Sequence, residues 1–405
     1  MQNTFVISRF SPLALTLEKI GPFQDRLEQF SFLDASGEAC NYFLFLSQNG
    51  RGKTHILEVM AALMGVLGQR TDAQPLPFYF EPLATGEGRA QLDVLLTYSV
   101  NGIGRTEVLS IFGGYGPDET WLNFWTDDML ARVQATKWHR IGIARKNEEY
   151  KWTGIQEDEW SREFASWILN TVGENVGQFA GSSLTAPTLI YFPAYRDVVA
   201  MPDVSRAIEP PNDWNYKPLH IFRQEGAQWR ESLDNLLVWL LWLNDERYDA
   251  ALQLVNDYVF DGTDKTLIGI PDRNELVAKI GGRDKRKSHR LDQLSSGEKS
   301  LIQIFLRLGA HMTKNTILII DEVDAHLHPK WRTKIALRLK EMLRNFEGMT
   351  VFLASHADEI IDSLSLTIPE EGIVKGGELL LTPEEEAERL KRQQEADFVI
   401  NSYSN

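Results

Sequence analysis

The sequence predicts an α/β fold, because three stretches each end a buried strand in residues that carry chemistry. Residues 41–65, NYFLFLSQNGRGKTHILEVMAALMG, pass from an apolar strand (42–46) through a polar, glycine-containing loop (47–53) into a helix. The helix is read from Ile56, Leu57, Met60, Ala61 and Met64, which recur at helical spacing. Residues 315–322, NTILIIDE, form a second apolar strand closed by two acids, and residues 349–356, MTVFLASH, a third closed by a histidine.

The 405 residues can bury a large core, in two or three domains or in one large α/β domain with insertions. Hydrophobic content of 43% and charged content of 24% are those of a folded soluble protein. The single cysteine, Cys40, allows no disulfide within the chain and suits a reducing compartment. No run reaches the roughly 18 uncharged apolar residues of a membrane span. The nearest, residues 236–243, is short and is followed by Asn244-Asp245-Glu246-Arg247. The opening MQNTFVISRF lacks a signal-peptide layout, so a cytoplasmic protein without membrane contact is expected. A net charge of −15 counts against a surface built for indiscriminate nucleic-acid binding, and leaves room for a local basic groove.

In chain order, residues 12–46 read as strands, with turns at Gly21-Pro22 and at Asp34-Ala35-Ser36-Gly37. Residues 89–100 and 105–112 flank Asn101-Gly102, a strong hairpin signal, so residues 78–126 are expected to form an antiparallel β layer. A polar, Trp-bearing stretch follows, with a helix over 157–172. Trp121, Trp125, Trp138, Trp152, Trp160 and Trp167 could line a binding surface, but core filling is the commoner use of tryptophan. Residues 187–193 read as a buried strand and Tyr195, Arg196 and Asp197 follow its end, where α/β sheets place ligands. Two helices are expected between residues 229 and 260, with an apolar face on Leu233, Leu236, Leu237, Leu240 and Leu241 and no heptad run for a coiled-coil arm. Short strands over 266–270 and 276–280 lead into a basic stretch, Arg283-Asp284-Lys285-Arg286-Lys287-Ser288-His289-Arg290. Thr382-Pro383-Glu384-Glu385 is a helix start, and a charged tail helix should run to about residue 396.

The loop after the first strand ends in Gly50-Arg51-Gly52-Lys53-Thr54, which fits G-x-x-x-x-G-K-[ST] except that Ser47 stands where the first glycine belongs. Backbone N–H groups over Asn49, Gly50, Arg51, Gly52, Lys53 and Thr54 could wrap a polyphosphate, with Lys53 on the β/γ-phosphates and the Thr54 hydroxyl on Mg²⁺. The bland alternative is an ordinary glycine turn before a helix. Carboxylates are costly beside a buried strand unless they have a task. Asp321 would hold Mg²⁺ and Glu322 would polarise a water attacking a γ-phosphate, the alternative being a solvent-facing acidic pair. Ser295, Ser296, Gly297 and Glu298 open an amphipathic helix and make a second anion-binding helix start. One nucleotide does not need two such sites, so a head-to-tail pair of subunits, each completing the other's site, is expected. His356 could bond a γ-phosphate or the attacking water, although a strand-end histidine is more often structural.

The order of phosphate loop, LSSGEKS, IIDEVDAHLHP and ASH resembles the ATP-binding cassette ATPases, in particular their RecF/SMC/OLD-like branch. The resemblance implies an ABC-type P-loop ATPase fold with an antiparallel β layer and an inserted, mainly helical lobe at about 127–262. It implies an ATPase domain over 1–380 and a charged helical tail over 381–405. It also implies ATP and Mg²⁺ as cofactors. Lys53 and Thr54 match Walker A, Asp321 and Glu322 Walker B, Ser295, Gly297 and Glu298 the signature, and His356 the switch histidine. Catalytic roles would fall to Glu322, His356 and Lys53. His328 stands in place of the D-loop aspartate and Pro329 follows it, as in the RecF and OLD forms; no glutamine is assigned to a Q-loop.

The insert between Thr54 and Leu294 is too compact for a condensin-like arm, and a chain ending near residue 405 is not expected to hold the C-terminal nuclease of OLD proteins. What remains resembles the stand-alone ATPase subunits of the Septu, PARIS and retron anti-phage systems. That resemblance implies an ATP-bridged homodimer, a separately encoded effector and a phage-derived trigger as partners. The competing expectation is a RecF-like DNA clamp that holds nucleic acid through residues 283–290, which otherwise form a solvated hairpin tip. A small-molecule kinase would explain neither LSSGEKS nor His356. No second catalytic site is expected, since Cys40 lacks a nucleophilic partner and His326 and His328 sit in the D-loop.

Overall fold

The computed structural model describes residues 4–47, 50–69, 81–116, 121–145, 152–174, 184–196, 198, 206–223, 228–282, 288–325, 327–364, 369–381 and 385. The chain opens with a long hairpin, β1 (Phe5–Ile20) and β2 (Phe23–Ser31), then β3 (Tyr42–Leu46) and α1 (Lys53–Val66). A short turn of helix, α2 (Glu81–Ala84), precedes β4 (Arg89–Val100) and β5 (Ile103–Tyr115). Asn101 and Gly102 turn this second hairpin at φ 52° and 79°, the left-handed pair that a two-residue hairpin of type I′ requires. Next come α3 (Asp127–Arg132), β6 (Trp138–Arg145), β7 (Trp152–Gln156) and α4 (Glu159–Glu174). Then follow β8 (Thr188–Phe192), β9 (Leu219–Ile221), α5 (Leu233–Leu243) and α6 (Arg247–Leu254), which loosens into a π turn over Val255–Phe260. The remainder is β10 (Thr266–Gly269), β11 (Lys279–Gly281), β12 (Ser288–Arg290), α7 (Ser296–His311), β13 (Thr316–Ile320), α8 (Pro329–Asn345), β14 (Thr350–Ser355), α9 (Asp358–Leu364) and β15 (Lys375–Leu379).

Two six-stranded sheets face each other. One, in the order β15-β3-β14-β13-β8-β9, is parallel throughout. Its four inner strands, β3, β14, β13 and β8, are short, mostly apolar and buried on both faces, as a sheet covered on both sides requires. Phe43 and Phe45 of β3, with Ile317 and Ile319 of β13, point into one core, and Tyr42, Leu44, Leu318 and Ile320 into the other. The second sheet, β2-β1-β4-β5-β6-β7, is antiparallel except that β6 runs parallel to β5. Helix α1 lies between the sheets and is buried on nearly all sides, which explains why Val59, Ala62, Leu63 and Val66 are apolar besides the periodic positions. Helices α5 to α8 cover the outer face of the parallel sheet.

The antiparallel layer expected over 78–126 is present as β4 and β5, and it is larger, because β1, β2, β6 and β7 join it. The lobe expected over 127–262 is interrupted by strands: β6 and β7 extend one sheet and β8 and β9 the other, while helix is found in α3, α4 and from Leu233 to Phe260 among the described residues. Ile141 to Arg145 of β6 are all buried, and the strand is enclosed as it pairs with β5 on one side and β7 on the other. The tryptophans fill space: Trp160 stacks on Phe164 at 4.9 Å and on the His139 ring at 4.1 Å, and Trp121 and Trp152 are buried. They divide among separate clusters instead of lining one surface. Among the described residues no helix is long and apolar enough to cross a membrane. Residues 283–287 of the basic stretch, and the tail except residues 381 and 385, lie outside the described residues. Glu385 accepts a bond from Arg51 at 2.8 Å.

Candidate nucleotide-binding site

Strands β3, β14 and β13 are adjacent and parallel, so the residues following each of them gather at one sheet edge, the place where open α/β sheets bind ligands. From β3 comes the glycine loop. Gly50 and Gly52 have φ of 82° and 95°, which L side chains rarely adopt. A Cβ on Gly52 would also lie 2.7 Å from Pro22 Cγ and 2.9 Å from the Phe23 ring, because the β1–β2 turn packs over the loop. Gly52 is the N-cap of α1 and no side chain caps that helix end. Lys53 points back into the loop, donating to the Ser47 carbonyl at 2.6 Å and to Ser47 Oγ at 3.1 Å. Ser47, where the pattern calls for glycine, thus holds the lysine with both its backbone and its hydroxyl. Burial lowers the Lys53 pKa, against the pull of Asp321 and Glu322. Asn49 lies outside the described residues, whereas Arg51 is described and pairs with Glu385.

From β13 come Asp321 and Glu322. Thr54 Oγ1 donates to Asp321 Oδ2 at 2.7 Å, which joins loop and acidic strand end across 267 positions of chain. Asp321 is buried, and its Oδ1 has no hydrogen-bond partner. Burial raises its pKa, opposed by the Thr54 bond. A buried carboxylate with one oxygen free, beside a hydroxyl, is a hard-oxygen donor pair that suits Mg²⁺ shared with phosphates. Among the described residues no cluster of three or more His, Cys, Asp or Glu is placed to hold a metal. Glu322 has φ 44°, unusual for a residue with a side chain.

From β14 comes His356, which is exposed. Its Nε2 lies 3.5 Å from Asp324 Oδ2, and Asp324 Oδ1 accepts from Ser355 Oγ at 2.5 Å. Sequence reasoning missed Asp324. The signal was there, since a third acid three residues after Asp321 returns to the same strand end. His328 caps α8, accepting from the Lys330 N–H at 3.4 Å ahead of Pro329. His326 lies outside the described residues.

Ser295 and Glu298 of the second helix start are bound to each other. Ser295 Oγ donates to Glu298 Oε2 at 2.8 Å, Glu298 N–H donates to Ser295 Oγ at 3.4 Å, and Lys265 Nζ holds Glu298 Oε1 at 2.6 Å. Burial works to raise the Glu298 pKa, and the bonds from Lys265 and Ser295 bring it below its ordinary value. Ser295 and Ser296 are exposed and Gly297 is buried. None of the four bonds Thr54 or Asp321 among the described residues; the connection to the acidic strand end runs through Ser300, further along α7, and Arg196. Asp197 lies outside the described residues, and Tyr195 is 78% exposed.

Residues 192–362, which take in Arg196, the LSSGEKS stretch, Asp321, Glu322 and His356, match the family described as "AAA domain, putative AbiEii toxin, Type IV TA system". The chain is 28% identical over 115 residues to "Septu protein PtuA" of Bacillus mycoides (strain KBAB4), covering 27% of this chain and 15% of that protein. It is 28% identical over 91 residues to "Retron Ec83 probable ATPase" of Escherichia coli, covering 20% of this chain and 17% of that protein. The chain therefore spans less than a fifth of the length of these relatives. Among solved structures it is similar to the SMC head domain from Thermotoga maritima, with a TM-score of 0.35 and 12% identity over 87% of this chain and 92% of that one. It is also similar to the Smc head domain with an extended coiled coil derived from Pyrococcus furiosus, with a TM-score of 0.41 and 10% identity over 95% and 100%. Sheet order, loop and strand-end acids define the fold without these likenesses. The resemblance to ABC-type ATPases, including the Septu and retron ones, holds.

Proposed function

We propose that this chain, an ABC-type ATPase, binds Mg·ATP at the edge where β3, β14 and β13 end and hydrolyses it within a head-to-tail homodimer that gates a separately encoded effector in anti-phage defence. The observation that carries the nucleotide part is the 2.7 Å bond from Thr54 to the buried, half-satisfied Asp321. Lys53, already drawn into the loop by Ser47, would turn its ammonium onto the β/γ-phosphates, and the N–H groups of residues 49–54 would hold the remaining oxygens. Thr54 and Asp321 would hold Mg²⁺, which supplies charge neutralisation to the phosphates when bound. Glu322, half-buried next to Asp321, would orient water and accept its proton, and His356, poised by Asp324, would donate to the γ-phosphate or the water.

Ser295, Ser296, Gly297 and Glu298 would meet the nucleotide of the other subunit. Their separation from Thr54 and Asp321 supports this. The Ser295 hydroxyl now spent on Glu298 would be released to phosphate, while Lys265 keeps the Glu298 carboxylate neutralised. ATP binding and hydrolysis would then switch the protein between two arrangements, and an effector that contacts one of them is held or freed. The likeness to the Septu and retron proteins supports the defence setting.

Two experiments test the parts separately. Lys53→Ala and Ser295→Arg subunits, each inactive alone, should recover ATPase when mixed, because one composite site is intact; confirmed mixed dimers with no activity would rule out completion across the dimer. Co-expression with the neighbouring gene, then pull-down and phage challenge with wild-type and Glu322→Gln protein, tests the effector. If nothing co-purifies and site variants leave phage sensitivity unchanged, the defence role fails and DNA binding becomes the next function to assay.

A further inference from the structure

We propose that Arg196 is a positioning residue that fixes the backbone of Glu322 and ties it to the helix carrying Ser295. This rests on the ATPase reading above. Arg196 follows β8 and is buried, yet among the described residues no carboxylate is hydrogen-bonded to it. Its Nε donates to Ser300 Oγ at 3.0 Å. One terminal nitrogen donates to the Pro193 and Asp321 carbonyls at 3.0 and 2.7 Å, and the other to the Glu322 carbonyl at 2.9 Å.

A buried guanidinium whose hydrogen-bond partners are all neutral is costly, and burial lowers the Arg196 pKa to about 10 against the pull of Asp321, Asp324 and Glu322. The feature that this cost accompanies is the backbone it grips. Asp321 and Glu322 present consecutive carbonyls to it, and Glu322 is held at φ 44°, a conformation that persists only where its surroundings over-determine it. Only a planar group with several fixed donors can grip both carbonyls and still reach Ser300. Ser300 is buried on α7, five positions after the Ser295 cap. A shift of α7 as its start meets phosphate would therefore move Ser300, the guanidinium and the Glu322 peptide together. Engagement across the dimer would set the carboxylate that orients water.

The test compares Arg196→Met, Arg196→Lys and Ser300→Ala in the full chain by steady-state ATPase and by affinity for a fluorescent ATP analogue. Arg196→Met should keep affinity within about twofold and lose kcat by about 10²-fold, the penalty of a catalytic group displaced by about 1 Å. Lysine should recover only part of that loss, since one ammonium with three donors cannot span four partners. On a Glu322→Gln background, Arg196→Met should lower kcat by less than about twofold, because both changes act through one carboxylate. Multiplicative losses, or a wild-type kcat in Arg196→Met, would overturn the proposal. Should Arg196→Met not fold, Ser300→Ala decides: a several-fold lower kcat at unchanged affinity supports the link, and a wild-type kcat overturns it. A wild-type chain that binds the analogue and hydrolyses no ATP would instead overturn the ATPase reading, and this proposal with it.

Discussion

Thr54 and Asp321 are hydrogen-bonded at 2.7 Å although 267 positions separate them in the chain. Each completes the other, since the hydroxyl satisfies one oxygen of a buried carboxylate and the second oxygen stays free for a cation. Thr54→Ala removes a bond to a charged group, worth about 1.5 kcal/mol or more. The Mg²⁺ concentration for half-maximal ATPase should therefore rise by on the order of tenfold, measured by magnesium titration at saturating ATP. An unchanged titration would remove Thr54 from the ion's surroundings.

Glu322→Gln should leave ATP affinity intact and cut turnover by about 10²–10⁴, because only proton acceptance and water orientation are lost while Lys53, Thr54 and Asp321 remain. Lys53→Ala should weaken binding itself. Equilibrium binding alongside single-turnover hydrolysis separates the two effects.

Gly52→Ala should disable the loop without touching any side chain that meets substrate. At φ 95°, with Pro22 Cγ 2.7 Å from the new methyl, the substitution costs about 1–3 kcal/mol in backbone strain, besides the clash. ATP affinity should drop more than thermal stability does, and calorimetry of both quantities checks it.

The pair His220 and His311, buried with ring centroids 4.6 Å apart, should make the fold acid-sensitive. Burial lowers the His220 pKa to about 4 from 6.5 and holds that of His311 well below its ordinary value. Both stay neutral in the fold while the unfolded chain binds protons, so stability is full above about pH 6.5 and falls with acidification towards about pH 4. Each contributes a slope of about 1.4 kcal/mol per pH unit. The melting temperature of His311→Gln should fall less steeply between pH 7 and pH 5 than that of the wild type.

The basic stretch should bind no DNA at ~50 mM salt. Arg290 already donates to Asp292 at 3.1 and 2.8 Å, so one of its cations is neutralised. Changing Lys285, Arg286, Lys287 and Arg290 to glutamate should leave ATPase unaltered. Wild-type binding at ~50 mM salt that falls steeply with added salt and vanishes in the variant would restore the clamp reading.

Apolar runs and glycines make much of this molecule legible in its sequence alone. Strands β3, β8, β13 and β14 follow from uncharged segments too short for helices, and the Asn101-Gly102 turn from the one backbone geometry that pair favours. The same holds for the glycine loop, whose left-handed residues are a local requirement, and for the strand-end acids and His356. What the sequence could not decide was who pairs with whom. That β6 runs parallel to β5, that α1 is enclosed by two sheets, and that Pro22 and Phe23 close over Gly52 depend on contacts between distant segments. Arg196 is the sharpest case, a strand-end arginine that the sequence marks by position alone, as a place for ligands, and that the fold aims instead at carbonyls of residues 193, 321 and 322. Carbonyls are common to every residue and leave no trace in side-chain order, so only the tertiary structure could choose those three.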